Sequence, residues 1–376
     1  MTRIQPQMTA KMDAAIDSAL AERRIVGTVT MLSENGNVTY RRAAGFSDRE
    51  SAQQMQMEDR FRYASITKLF TTAAALKLIE VGRLDPAAPV TNYLPDFQPR
   101  LANGRIPVIT IDHLMSHMAG LDYDFQQPVQ GPYARACISN GLDNNRATMA
   151  ENLKRLSGQT LLSEPGGKWR YSMATDVLGG VISAICDEPL PIVVAELVSG
   201  PLGLNAGFHR HPDRLVPTYK DSDTQPVRYD EQTEIPFGDG IVLRLDPQRI
   251  GRNDRAFASG GGGMEGDAAS ALVLIEALRD GDFLSPGMRQ QAMKLRTPPN
   301  QPTRGPGWGF SWLGSYLIDP NAAGTALAAG TIAWGGVYGY SWLMSPQLGR
   351  CMVALTNTAL EGMIGRFAAE IAEATA

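Results

Sequence analysis

Cysteine is scarce in this chain: Cys137, Cys186 and Cys351 lie far apart, with no C-x-x-C pair among them. That excludes a disulfide framework and a zinc knuckle, and the three read as buried free thiols suited to a reducing compartment. Histidine is nearly as scarce, with only His113, His117, His209 and His211. His113 and His117 are spaced i, i+4, but Leu114, Met115 and Ser116 between them supply no glutamate for an H-E-x-x-H zinc site. A catalytic metal therefore has too few ligands, and no cofactor is expected. Long apolar runs are missing too. None approaches the roughly 18 residues of a membrane-spanning helix, and the N-terminal stretch lacks the apolar core of a secretory signal, so a cytoplasmic location is expected. The net charge of −4, with no dense Lys/Arg run, gives no footprint for nucleic acid.

What is present is an ordinary globular composition, 43% hydrophobic and 20% charged over 376 residues. This is enough for one large or two intimately built domains. Met8, Met12, Ile16, Ala19 and Leu20 recur at helical spacing and predict an amphipathic first helix. Ile25 to Ser33, the Asn35-Gly36 turn and Val38 to Ala44 predict a hairpin. A helix follows from Ser65 to Val81, stopped by Gly82. From Asp85 to about Asn205 the pattern is helical, and residues 208 to 255 read as an irregular surface excursion near the site. After a helix from Asp267 to Asp280 come strands at Trp308–Ile318, Thr331–Trp334, Tyr340–Ser345 and Cys351–Thr356, then a helix from Glu361 to about Glu373. Strands at both ends and helices between them predict an α+β fold: an antiparallel sheet built from both termini with a mainly helical insertion. The expected units are residues 1–84 with 256–376, and 85–255, with the active site at their interface. The first helix and the strand edges carry no cue to oligomeric state.

Chemistry can begin at Tyr63-Ala64-Ser65-Ile66-Thr67-Lys68. Ser65 opens a helix and Lys68 lies one turn on, so both side chains share a face. A serine hydroxyl needs a base to become a nucleophile, and a lysine in an apolar setting can act as one because burial disfavours its charged form. The helix N-terminus also offers N–H groups to an oxyanion. Alone, the pair reads as an N-cap and a surface lysine, since S-x-x-K arises about once per chain at ordinary composition. Two further segments can complete it. Tyr171 follows the Pro165-Gly166-Gly167 turn at a loop-to-helix junction, where its phenol can reach both groups; by itself it reads as a packed tyrosine. In Trp334-Gly335-Gly336-Val337, two glycines let a ligand approach a strand closely, although they also suit a simple turn.

In order and separation these three segments resemble the S-x-x-K, Y-x-N and K-T-G motifs of serine β-lactamases and penicillin-binding proteins. They are most similar to the family VIII carboxylesterases, which carry Tyr-Ser and Trp-Gly-Gly in the second and third motifs. His113 to Leu121, Ala258 to Gly263 and Trp308-Gly309-Phe310 extend the resemblance over nearly the whole chain. It implies Ser65 as nucleophile, Lys68 and Tyr171 as general base and acid, and an oxyanion hole from the backbone N–H groups of Ser65 and Val337. Trp334, Gly335, Gly336, Tyr123 and Met173 would contact substrate. Two departures bear on that substrate. Trp334 stands where β-lactamases carry a cation, and Met173 stands where they carry asparagine, so the charge-assisted grip on a penicillin-like molecule is missing. The expected activity is hydrolysis of small, mostly apolar carboxylic esters. The alternatives are β-lactamase-like or short-oligomer amide hydrolysis and, from a different class, a non-catalytic binding protein on this scaffold. The run Gly260 to Gly263 lacks a P-loop ending and reads as a loop. No G-x-S-x-G elbow occurs, and His113 and His117 are expected to pack rather than to form a triad.

Overall fold

The structure is a computed structural model that describes residues 4–208, 215–238, 241–252, 256–298, 301 and 303–376; His209 and His211 lie outside the described residues. Its centre is an eight-stranded antiparallel sheet. The strand order is Trp308–Phe310, Ser315–Leu317, Ile332–Gly336, Tyr340–Ser345, Arg350–Thr356, Gly27–Glu34, Asn37–Asp48 and Gln53–Gln54. The two chain ends meet in the middle, where Val29 stands opposite Leu355 and Met31 opposite Val353. The Asn37–Asp48 strand follows a turn whose Asn35 and Gly36 both have positive φ, 51° and 79°, the backbone that matches the twist of a tight hairpin.

Both faces of this sheet are covered. Along Arg350–Thr356, Cys351, Val353 and Leu355 join one apolar cluster, and Met352 and Ala354 join the other. A strand buried on both sides reads as a continuous apolar run. One face carries the N-terminal helix Ile4–Ala21 and the C-terminal helix Arg366–Glu373 through Met12, Ile16, Phe367 and Ile371. The other carries the helices Thr67–Glu80 and Ala268–Arg279 through Leu69, Leu272 and Ile275. The helix Ala174–Cys186 packs on Thr67–Glu80 from the far side. No single helix among the described residues is long and apolar enough to cross a membrane.

Several expectations need correction. Trp308–Ile318 is two short strands, because Ser311 Oγ accepts from the backbone N–H groups of Leu313 and Gly314 at 3.2 Å and turns the chain back. The last helix begins at Arg366, five residues late: Leu360–Gly365 is turn, and Glu361 instead accepts from Phe367 N at 2.9 Å. The stretch from 208 to 255 contains two hairpins, Thr218–Lys220 with Val227–Tyr229 and Thr233–Gly238 with Ile241–Leu245. In the second, Ile235, Leu243 and Leu245 are buried while Arg244 pairs with Glu234, an alternation that polar composition conceals. Of the three cysteines only Cys351 is buried; Cys186 is half-buried and Cys137 exposed.

Candidate active site

Ser65 lies where the short strand Phe61–Arg62 turns into the helix Thr67–Glu80, within one 3₁₀ turn, Ala64–Ile66. Ala64 enters that turn with φ +45°, a left-handed conformation that costs an L-residue about 1–2 kcal/mol. Buried Tyr63 secures it: its N–H donates to Met264 O at 2.9 Å and its hydroxyl to Asp267 O at 2.5 Å. Lys68, one turn on, places Nζ 3.3 Å from Ser65 Oγ and donates to Gly261 O at 2.7 Å.

Tyr171 Oη stands 2.6 Å from Ser65 Oγ. The segment that presents it is tied down at alternate residues. Arg170 N donates to His117 O at 2.9 Å, and Ser172 N donates to His117 Nδ1 at 3.2 Å. Arg170 also pairs through Nε with buried Asp122 at 2.6 Å. In an extended run neighbouring side chains point opposite ways, which leaves Tyr171 facing Ser65. Because His117 Nδ1 accepts, its ring proton sits on Nε2. Burial, with Lys68 nearby, holds its pKa well below the ordinary value. His117 is thus a neutral strut, although it lies past the end of the helix Ile111–Met115 with φ +56° rather than inside it. His113 caps that helix, accepting on Nδ1 from Thr110 N at 3.2 Å.

The third segment is the strand Ile332–Gly336. Trp334 Nε1 reaches Tyr171 Oη at 3.4 Å, and its ring packs on those of Tyr171 and Phe310. A Cβ on Gly336 would come within 2.8 Å of Tyr63 O, so only glycine lets this strand lie against the Ser65 turn. Gly335 and Val337 border the same cavity as Ser65; Gly336 does not. Tyr123 stacks on Phe125 at 4.7 Å and borders the cavity, with Lys68 Nζ 5.5 Å from its ring centre. Burial and the neighbouring Tyr171 push its phenol pKa well up. Met173 is the exception among the expected residues. It is 1% exposed and N-caps the helix Ala174–Cys186 toward the core, outside the cavity wall.

The cavity measures about 410 Å³. Its walls are mainly apolar, with Phe237, Leu243 and Leu245 from the 233–245 hairpin facing Val337, Met363 and Ile364. Two features were missed in the sequence. Asp176, fully buried, accepts from Ser259 Oγ at 2.6 Å and Gly261 N at 3.3 Å. Burial raises its pKa, and Lys68 opposes that rise. Gly261 is wedged between them: a Cβ there would stand 2.6 Å from Asp176 Oδ2 and 3.3 Å from Lys68 Nζ. The glycine run 260–263 is the only hint the sequence holds. Among the described residues no group of three or more His, Cys, Asp or Glu side chains is placed to hold a metal ion.

Known proteins resemble this chain over nearly its whole length. Residues 12–375 match the Beta-lactamase family model. Esterase EstB of Burkholderia gladioli is 42% identical over 363 residues, covering 95% of this chain and 92% of that protein. The solved structure of EstCE1, described as a hydrolase with promiscuous acyltransferase activity, superposes with a TM-score of 0.96 at 40% identity, covering 99% of each chain. Simvastatin synthase from Aspergillus terreus shares the fold at 22% identity and a TM-score of 0.76, over 98% of this chain and 97% of that one. With its three motifs gathered on one cavity and a family match running almost end to end, this chain belongs to the beta-lactamase family.

Proposed function

We propose that this protein is a carboxylesterase that acts through an acyl-Ser65 intermediate. The observation that carries the reading is Ser65 Oγ lying within reach of both Tyr171 Oη, at 2.6 Å, and Lys68 Nζ, at 3.3 Å, in a largely apolar cavity. Ser65 Oγ attacks the ester carbonyl as Lys68 and Tyr171 together take up its proton. The backbone N–H groups of Ser65 and Val337 hold the oxyanion. As the C–O bond breaks, Tyr171 returns a proton to the departing alkoxide, and the alcohol leaves. Water then attacks the acyl-enzyme by the same relay in reverse, which releases the acid and restores Ser65. Trp334 and Gly335 wall the cavity beside the reacting carbon and Tyr123 lines it from the other side.

Trp334 in place of a cation argues against efficient turnover of β-lactams, whose carboxylate would lose its charged partner. We also read residues 1–84 with 256–376 as one unit and 85–255 as a second, since Ser65 and Lys68 come from the first and Tyr171 from the second. The test compares wild type with Ser65→Ala on p-nitrophenyl butyrate and a chromogenic cephalosporin. The expected result is fast ester turnover, slow cephalosporin turnover and loss of both in the variant. Ester hydrolysis that survives in Ser65→Ala places the nucleophile elsewhere and ends the proposal.

A further inference from the structure

The cavity next to Ser65 is bordered by three cations, Lys68, Arg244 and Arg304, and among the described residues by no carboxylate. Two of the three are already engaged. Lys68 donates to Gly261 O and lies close to buried Asp176, while Arg244 pairs with Glu234 at 3.1 Å. Arg304 makes no ion pair or hydrogen bond among the described residues; its guanidinium lies 5.5 Å from the ring centre of Trp308, and although the residue keeps contact with solvent, the protein crowded around it desolvates the charge and lowers its pKa. An unpaired arginine on an outer surface is unremarkable. This one borders the reaction cavity of a chain whose overall charge is −4.

The segment leading into Arg304 is fastened at two points. Gln301 accepts from Trp169 N at 3.0 Å and donates to Gly167 O at 2.9 Å, and Thr303 Oγ1 donates to Gly309 O at 2.7 Å. The segment is therefore fastened to the run that carries Tyr171, two residues beyond Trp169. Tyr171, which hands a proton to the departing alcohol, and Arg304 line the same cavity, and the fastening of the 301–303 segment beside Trp169 makes the alcohol portion the part of the substrate to assign to Arg304.

We propose that Arg304 is a specificity-determining residue, and that the preferred substrates are esters whose alcohol portion carries a carboxylate. The inference rests on the esterase reading. Arginine offers a planar fork that binds a carboxylate through two parallel N–H···O bonds, and Trp334 supplies no competing charge. The reaction itself is unchanged: the acyl group passes to Ser65 Oγ, a hydroxy acid departs with the proton from Tyr171, and water frees the acyl group as a second acid. Because Arg304 is desolvated only in part, its contribution is moderate, about five- to tenfold in kcat/KM.

The experiment measures kcat/KM for 4-acetoxybenzoate and 4-acetoxybenzamide, which differ in the charge of the alcohol portion, in wild type, Arg304→Gln and Arg304→Lys. The expected result is that R304Q lowers the carboxylate-to-amide ratio about five- to tenfold, through KM, and that R304K recovers part of it. High salt should lower the same ratio in wild type and leave it unmoved in R304Q. A ratio identical in wild type and R304Q overturns the proposal and leaves the esterase reading standing. If wild type hydrolyses neither of these esters nor p-nitrophenyl butyrate, the esterase reading itself fails and this inference falls with it.

Discussion

The hydroxyl oxygens of Ser65 and Tyr171 stand 2.6 Å apart across a sequence separation of 106 residues. Lys68 Nζ is farther from the same serine oxygen, at 3.3 Å, and is held by Gly261 O at 2.7 Å. This asymmetry makes Tyr171 the better placed group to carry a proton from Ser65 to the departing alcohol. An alkyl alcohol is a poor leaving group and needs that proton, whereas p-nitrophenolate leaves without one. Tyr171→Phe should therefore lower kcat/KM for ethyl butyrate by about 10²–10⁴-fold, and for p-nitrophenyl butyrate by clearly less. Equal losses on both esters would show that Tyr171 acts in activating Ser65 and not in protonating the alcohol.

Gly261 is a position where one added methyl group should disturb the reacting groups directly. Its added Cβ would stand 2.6 Å from Asp176 Oδ2 and 3.3 Å from Lys68 Nζ. Relieving that overlap means moving a buried carboxylate or the amine beside Ser65, and overpacking of this kind costs about 1–3 kcal/mol. Gly261→Ala should lower both the melting temperature and kcat, the latter at least about tenfold, because misplacing a reacting group by about 1 Å can cost up to about 100-fold. Gly287 is the control. Nothing lies within 4 Å of its added Cβ, and alanine is the better helix former by up to about 1 kcal/mol, so Gly287→Ala should keep full activity. A G261A protein as active as G287A would mean that the Asp176–Gly261–Lys68 packing is unimportant to the chemistry.

The legible parts of this molecule were those written in short runs. Asn35-Gly36, the continuous apolar run of Arg350–Thr356 and the motifs at Ser65, Tyr171 and Trp334 are each local patterns, and each marks its element or segment. What was illegible depends on contacts between distant segments. Asp176 meets Ser259 and Gly261 across more than 80 residues, and nothing in the sequence around Asp176 marks it as their partner. Ala64 takes a left-handed φ with no glycine to announce it, because Tyr63 N donates to Met264 O on a strand about 200 residues away. Met173 was misplaced for a related reason. The resemblance implies a substrate contact at the second position after Tyr171, but the backbone is already turning into the Ala174–Cys186 helix, and the side chain faces the core.

Asp124, beside the cavity residues Tyr123 and Phe125, has its pKa raised to about 6, chiefly by burial and then by Asp143. Its Oδ1 is buried without a hydrogen-bond partner among the described residues. An unfolded aspartate titrates near about 3.9. Between those values the folded chain holds a proton that the unfolded chain has lost, so folding stability falls as pH rises from about 4 to about 6 and stays lower above that. Asp124→Asn removes the cost. At pH 8 the variant should be more stable by about 1–3 kcal/mol, and near pH 4 the two proteins should match. Urea midpoints at the two pH values decide it; a gain of the same size at both would assign the effect to packing instead of charge.

His117 bends stability the opposite way. Its ring accepts from Ser172 N at 3.2 Å, and burial, with Lys68 nearby, keeps it neutral well below its ordinary pKa. The unfolded chain takes up a proton on this side chain as pH falls below about 6.5, and the folded chain does not. Stability contributed by neutral His117 is therefore intact above about 6.5 and lost progressively below it, at up to about 1.4 kcal/mol per pH unit. His117→Asn keeps an acceptor near Ser172 N and removes the titration. The stability difference between wild type and H117N should thus shift by about 2 kcal/mol in favour of the variant between pH 7.5 and pH 5. Taking the difference cancels Asp124, which titrates in both proteins. Should the difference stay constant with pH, His117 would have to be protonated in the folded state, and Ser172 N could not be donating to its Nδ1.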